Sequence, residues 1–465
     1  ATEPDYEISG VLKIDESVEN TLTLVGKPPG FFKLLNYWSH SRSGRKNIIL
    51  LGVTERVEKI TLYGLVFRTF SGTREGFCSL ELIVEKIFLG IHFPTEDVIA
   101  FKKIKLNYLD FSHWLRISGF EVEKPKEGII NIKYEQPANL TIDTEMGFQL
   151  EYIFNTAFFK RDEFEADTKV TQINEVGLKG AEKINYALFS KLVSHFTNFL
   201  SFAYQGTMLL KSVKAFTGFF DNENEDNLET GTVTIYDADF KYAGGRERMP
   251  YYRLSFTYED IADSPGKYLG NWFKKRDTYR HVFSLYFGDM DSQGLDMEYK
   301  LLTLARAAEV YHRTKYGEEA KYQSNNDYRR NLMQEFIRVI PPGLEPPGFR
   351  ESILNKLRFM NEYSFNKRIK ELLSEYSDIT PLEIENPDLL ARNLADVRNY
   401  FTHFDTPPGF IPPNDSELRD LYSKLRYLLR ICLLSEIGFP KPKIKEILSR
   451  KEIVSFYERP KLPFF

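Results

Sequence analysis

The sequence predicts an α+β protein. A β-rich N-terminal domain, sandwich or barrel-like with one inserted helix, precedes an all-α helical bundle. Two observations carry this reading. Apolar residues recur with a period of two up to about residue 265 and with a period of 3.6 after it. The punctuation fits both halves: Gly, Pro and charged turns separate the early segments, and Pro-rich joints, PPGLEPPG at 341–348 and TPPGFIPP at 406–413, stop several of the later helices. We therefore expect a sensor or regulatory domain over 1–265 and a helical domain over 266–465, with its core at about 295–440. A chain of 465 residues accommodates both.

Strands are expected at Tyr6–Ile14, Thr21–Val25, Asn47–Val53, Lys59–Phe67, Ser79–Phe88, Val98–Tyr108, Ile129–Tyr134, Phe148–Phe154, Thr232–Tyr236 and Arg253–Tyr258. Each is short, bounded by turn residues and rich in Ile, Leu, Val and Tyr, which suit a pleated surface. The inserted helix is expected over 181–206. There Leu188, Leu192, His195, Phe199 and Phe202 follow a 4,3,4,3 spacing and share one stripe. His195 on that stripe reads as a core imidazole. The acidic run 221–230, DNENEDNLET, is too poor in apolar residues to pack and reads as an exposed loop. Helices follow near 266–287, 295–316, 326–339, 348–376, 387–404 and 415–437. The last begins with Asn414 as cap and Glu417 three positions on. Its stripe Leu418, Leu421, Leu425, Leu428 and Cys432 makes Cys432 a buried small hydrophobe rather than a nucleophile.

Composition excludes several function classes. No apolar run is long enough to span a membrane. The first residues, ATEPDYEISG, have neither a basic region nor an apolar core, so no secretory signal is expected. Two cysteines build no disulfide framework, and the seven His show no zinc-finger spacing. These features predict a cytoplasmic protein without metal or cofactor. The net charge of −4 does not suit a protein that coats nucleic acid, so chemistry on nucleic acid would be confined to a cleft. The chain has no G-x-x-x-x-G-K-[ST] loop, no G-x-G-x-x-G after a strand, no G-x-S-x-G elbow and no H-E-x-x-H. What remains is His with Arg.

The segment 389–405 reads LLARNLADVRNYFTHFD. Leu390, Leu394, Val397, Phe401 and Phe404 form its apolar stripe. On another face Arg392, Asp396, Asn399 and His403 fall at 4,3,4, with Arg398 beside Asn399. A polar stripe on a helix anchored by its other side presents a rigid site. Neutral imidazole accepts a proton and imidazolium donates one near neutral pH. A guanidinium stays charged and matches phosphate oxygens. His403 and Arg398 thus suit phosphate-ester cleavage, and Asn399 can orient the imidazole or bind phosphate. Five residues turn a helix through about 500°, so the two side chains diverge by roughly 140°.

Arg398-Asn399-x-x-x-His403 resembles the R-N-x-x-x-H form of the R-x(4–6)-H motif of HEPN domains, helical bundles of which many are RNases. The bare pattern also matches Arg276–His281 and Arg306–His312. Only Arg398–His403 has Asn after Arg, for which about 0.02 chance matches are expected. It also precedes the final long helix, where the family carries it. The stretch before His312, LTLARAAEVY, is similar to the family's first helix, and on that ground Glu309 is a supporting candidate along with Arg392 and Asp396. The layout of a β-rich half followed by a HEPN bundle resembles ApeA-type anti-phage defence proteins. The resemblance implies an RNA endonuclease in abortive infection, acting on cellular RNA such as tRNA through 2′-hydroxyl attack, which leaves 2′,3′-cyclic phosphate ends. It further implies a homodimer or higher even oligomer with a composite active site, and a phage-derived trigger acting on the N-terminal domain. The alternatives are a noncatalytic RNA- or nucleotide-binding module and the toxin of a toxin–antitoxin pair.

Overall fold

The computed structural model describes residues 7–15, 19–26, 45–72, 78–160, 168–218, 231–244, 254–292, 294–379, 386–404 and 409–450. The chain divides into two units, with the boundary between Gly266 and Lys267.

The first unit is built on strands β1 (Ser9–Lys13), β2 (Thr21–Val25), β3 (Arg45–Val53), β4 (Lys59–Gly72), β5 (Cys78–Leu89), β6 (Ala100–Tyr108), β7 (Phe120–Lys126), β8 (Ile129–Tyr134), β9 (Leu140–Asp143), β10 (Phe148–Lys160), β11 (Thr168–Asn185), β12 (Leu210–Phe216) and β13 (Thr232–Asp237). Eleven of these join in one sheet, ordered β1-β2-β5-β13-β12-β6-β11-β10-β9, with β3 on β4 and β4 on β5. All the pairings are antiparallel. β5 is the branch point. β4 runs along almost its whole length, while β2 pairs with Ser79–Ile83 and β13 with Lys86–Leu89. β2 and β13 therefore succeed each other along one edge of β5.

Alternation drives this part of the fold. Cys78, Leu80, Leu82 and Val84 are buried on β5, and the last three pack with Leu22, Ile60, Leu62, Leu65 and Ile87 into one apolar cluster. An aromatic cluster lies around helices α1 (Phe111–Leu115) and α2 (Tyr186–Tyr204). In it Phe111, Trp114, Tyr152, Phe199 and Tyr258 meet ring to ring at 5.3–6.0 Å. β7 and β8 form a separate hairpin on which Val122, Ile130 and Ile132 are exposed.

Several expectations need correction. The inserted helix starts at Tyr186, not residue 181. Ile184 and Asn185 still pair with Phe101 and Ala100 in the sheet, and the Asn185 side chain then caps the helix by accepting from the Leu188 amide. Leu188 is exposed; the buried stripe is Phe189, Leu192, Val193, Phe196, Phe199 and Leu200. His195 is half-buried. No strand forms over 254–258. The Ser255 amide donates to the Ala203 carbonyl, and a Thr257/Asp260 capping box starts a 3-10 turn at Tyr258–Ile261. The acidic run 221–230, Tyr6 and Arg253 lie outside the described residues.

The second unit is helical: α3 (Pro265–Thr278), α4 (Arg280–Asp291), α5 (Met297–Tyr316), α6 (Asn325–Arg330), α7 (Leu332–Val339), α8 (Phe349–Phe359), α9 (Phe365–Glu375), α10 (Pro387–His403), α11 (Asp415–Ile437) and α12 (Lys441–Leu448). Helix α5 is central and packs against α4, α9, α10 and α11. Three expected helices are broken. Tyr279 interrupts the first and Asn331 the third, each with a non-helical backbone. The third break, at residues 360–364, has a clear cause. The buried Asn361 side chain pairs with both backbone groups of Gln323, and Ser364 then caps α9 by accepting from the Lys367 amide. The expected Asn414/Glu417 capping box opens α11. Its stripe from Leu418 to Cys432 is buried, and burial pushes the Cys432 thiol above its ordinary pKa.

Candidate active site

Helix α10 starts with Pro387 in its first turn and Asn386 as cap, the Asn386 side chain accepting from the Leu389 amide. Leu390, Ala391, Leu394, Ala395 and Val397 are buried, which fixes the rotation of the helix. The apolar stripe is shorter than expected. Phe401 is half-buried, and Phe404 is exposed because it leaves the helix in a left-handed conformation. The opposite face turns Arg392, Asp396, Asn399 and His403 to solvent.

Arg398 lies between the two faces, with its side chain 33% exposed. One terminal nitrogen reaches Glu309 of α5 at 3.5 Å. The other donates to the Asn399 side-chain oxygen at 3.1 Å. The guanidinium also lies over the Phe365 ring at 5.8 Å. His403 is the last residue of α10 and is exposed. No hydrogen bond or ion pair joins Arg398 to His403 among the described residues, as their separation around the helix requires. Of the supporting candidates, the structure brings Glu309 to Arg398. Arg392 and Asp396 stay on the exposed face, away from that pair.

Sequence reasoning missed the groups beneath Glu309. Its other oxygen accepts from Arg313 at 3.1 Å, and Arg313 also reaches Glu362 at 2.7 Å. Glu362 lies 3.5 Å from the buried Arg368. Arg368 donates from Nε to the Tyr363 carbonyl and from NH1 to Nδ1 of His312 at 3.1 Å. Nε2 of His312 meets Glu371 at 2.8 Å. A guanidinium only donates. Nδ1 must therefore accept, so this fully buried imidazole is neutral with its proton on Nε2, bonded to Glu371. Burial, reinforced by Arg368, pushes the His312 pKa below its ordinary value and outweighs Glu371. The only available signal was the i,i+4 spacing of Glu309 and Arg313.

The other two Arg–x–His spacings do not assemble. Arg306 is exposed while His312 is buried. Arg276 stacks on Phe283 and Phe287, and His281 bonds to Arg280.

Residues 302–443 match the family model described as Apea-like HEPN, and residues 1–272, more than half of the chain, match ApeA N-terminal domain 1. The chain belongs to the ApeA family. No curated protein and no solved structure matches it. As an ApeA-like protein it is a HEPN-domain anti-phage defence protein, and HEPN domains generally have RNase activity. The HEPN match runs from the second residue turn of α5 into α12 and includes Arg398, Asn399, His403, Glu309 and the whole His312 network. No helix among the described residues is long and apolar enough to cross a membrane.

Proposed function

We propose that this protein is an RNA endonuclease of the HEPN type that cleaves cellular RNA, with tRNA among its targets, during abortive infection. The observation that carries the proposal is the Arg398-Asn399-x-x-x-His403 motif on the exposed side of α10. Its guanidinium is held at the surface by Glu309 and Asn399, and its imidazole is open to solvent. RNA supplies its own nucleophile. His403 accepts the 2′-hydroxyl proton, the 2′-oxygen bonds to phosphorus, and the bond to the 5′-oxygen breaks. An imidazolium returns a proton to that 5′-oxygen. The products are a 2′,3′-cyclic phosphate and a 5′-hydroxyl, and the route uses no metal. Arg398 stabilises the charge that develops on the phosphoryl oxygens.

The divergence of Arg398 and His403 supports a cleft shared by two copies of α10 in a homodimer or higher even oligomer. Two His403 side chains then divide the work of base and acid. The β-rich domain receives the trigger, a phage-derived molecule, and the chemistry takes place in the cytoplasm.

The test is cleavage of total cellular RNA in EDTA by the wild type and by an Arg398→Ala/His403→Ala double mutant, with mapping of cyclic phosphate ends before and after addition of phage-infected lysate. Cuts made only by the wild type are expected. DNA cleaved as fast as RNA, or cuts that persist in the double mutant, refute the assignment. RNA binding without cleavage under both conditions would identify a binding module instead.

A further inference from the structure

We propose that Arg313 is a second phosphate-binding residue of the same cleft, engaging an RNA phosphate next to the one held by Arg398. The inference rests on the RNase reading. Its starting point is Glu309, whose two carboxylate oxygens each hold a guanidinium, Arg313 from its own helix and Arg398 from α10. Two cations from different helices are thereby fixed on either side of one anion.

Exposure shows which charges face solvent. The Arg313 side chain is 51% exposed and Arg398 33%, whereas Glu309 is 20% and Glu362 31% exposed. The carboxylates lie underneath and the guanidiniums outside. Both carboxylates that Arg313 touches meet the same terminal nitrogen. Its other terminal nitrogen and Nε make no hydrogen bond among the described residues, so N–H donors remain open to a phosphate oxygen. A half-exposed ion pair contributes little to stability. A fold has little use for two carboxylates on one exposed guanidinium, but a binding site that must hold a cation at a set place does. Glu362 is itself backed by the buried Arg368, so the Arg313 guanidinium is tied to a buried part of the bundle.

The experiment uses the full chain carrying His403→Ala, which keeps the substrate intact, and measures affinity for a short single-stranded RNA across a range of NaCl concentrations. Each phosphate contact to a single strand contributes about 0.7 to the slope of log affinity against log salt. In this background Arg313→Gln should flatten the slope by about 0.7, so that over a fourfold rise in salt the variant loses about 2.6-fold less affinity than its parent. Arg313→Lys should keep the slope, and Glu362→Gln, which leaves the cation in place, should keep it too. A purely structural role would weaken binding in Arg313→Gln without changing the slope. An unchanged slope in Arg313→Gln, alongside a flattened one in Arg398→Gln, overturns the proposal and leaves the RNase reading standing. Absence of RNA binding by the parent overturns both.

Discussion

Replacing His312 by Gln tests the buried network directly. The imidazole is fully buried, accepts from Arg368 and donates to Glu371. The Gln side chain also offers an oxygen acceptor and a nitrogen donor, but it does not titrate. The sign follows from linkage. The folded-state pKa of His312 lies below its unfolded value of about 6.5, so below that pH the unfolded chain binds a proton that the native chain refuses. Stability from this group is complete above the unfolded pKa and declines as pH falls towards the folded one. Protonation of the unfolded chain at its ordinary pKa bounds the loss between pH 7.5 and 5.5 at about 1.4 kcal/mol, a loss that His312→Gln does not incur. Urea unfolding of the full chain at each pH, pulse-labelled by hydrogen exchange at one fixed pH and read on peptides from Met297–Tyr316, isolates the helical unit. A wild type that gains stability relative to the variant on acidification would refute the reasoning, because Nδ1 would then carry a proton and could not accept from Arg368.

Two further perturbations probe the fold. Asn414→Ala removes the side chain that accepts from the Ser416 and Glu417 amides, and should cost the helical unit about 1 kcal/mol in the same urea assay. Tyr152→Phe removes a buried hydroxyl that has no hydrogen-bond partner among the described residues. It should leave the stability of the β-rich unit unchanged or raise it by about 1 kcal/mol, measured as the midpoint of exchange on peptides from Phe148–Lys160.

What was legible in the sequence depended on how local the cause was. β5 could be read because its buried residues alternate cleanly from Cys78 to Val84. β11 could not: Thr168–Asn185 is mostly polar, and it is a strand because its backbone pairs with β10 along thirteen register positions. β7 was hidden by Pro125 and β9 by its four residues. The break between α8 and α9 depends on Asn361 meeting Gln323, a long-range contact with no local signal. The same distinction holds at the candidate site. Arg398, Asn399 and His403 could be picked out because six positions contain them all. Arg368, in FNKRIKELLSE, reads as one more solvated cation on an amphipathic helix, yet it is buried at 1% exposure. Only the packing of α9 against α5 turns it inward, onto His312.

The position of His403 at the very end of α10 has a mechanical consequence. Arg398 lies within the helix, braced by α5, so the electrostatic half of the proposed reaction is pre-organised. The proton-transferring half is held by a single terminal turn, closed by the Phe404 amide on the Tyr400 carbonyl. Helix ends fray far more readily than helix interiors. Unwinding one turn would withdraw the imidazole and leave the arginine where it was. On the proposed reading the protein binds RNA and waits, with cutting governed by the cheapest motion a helix makes.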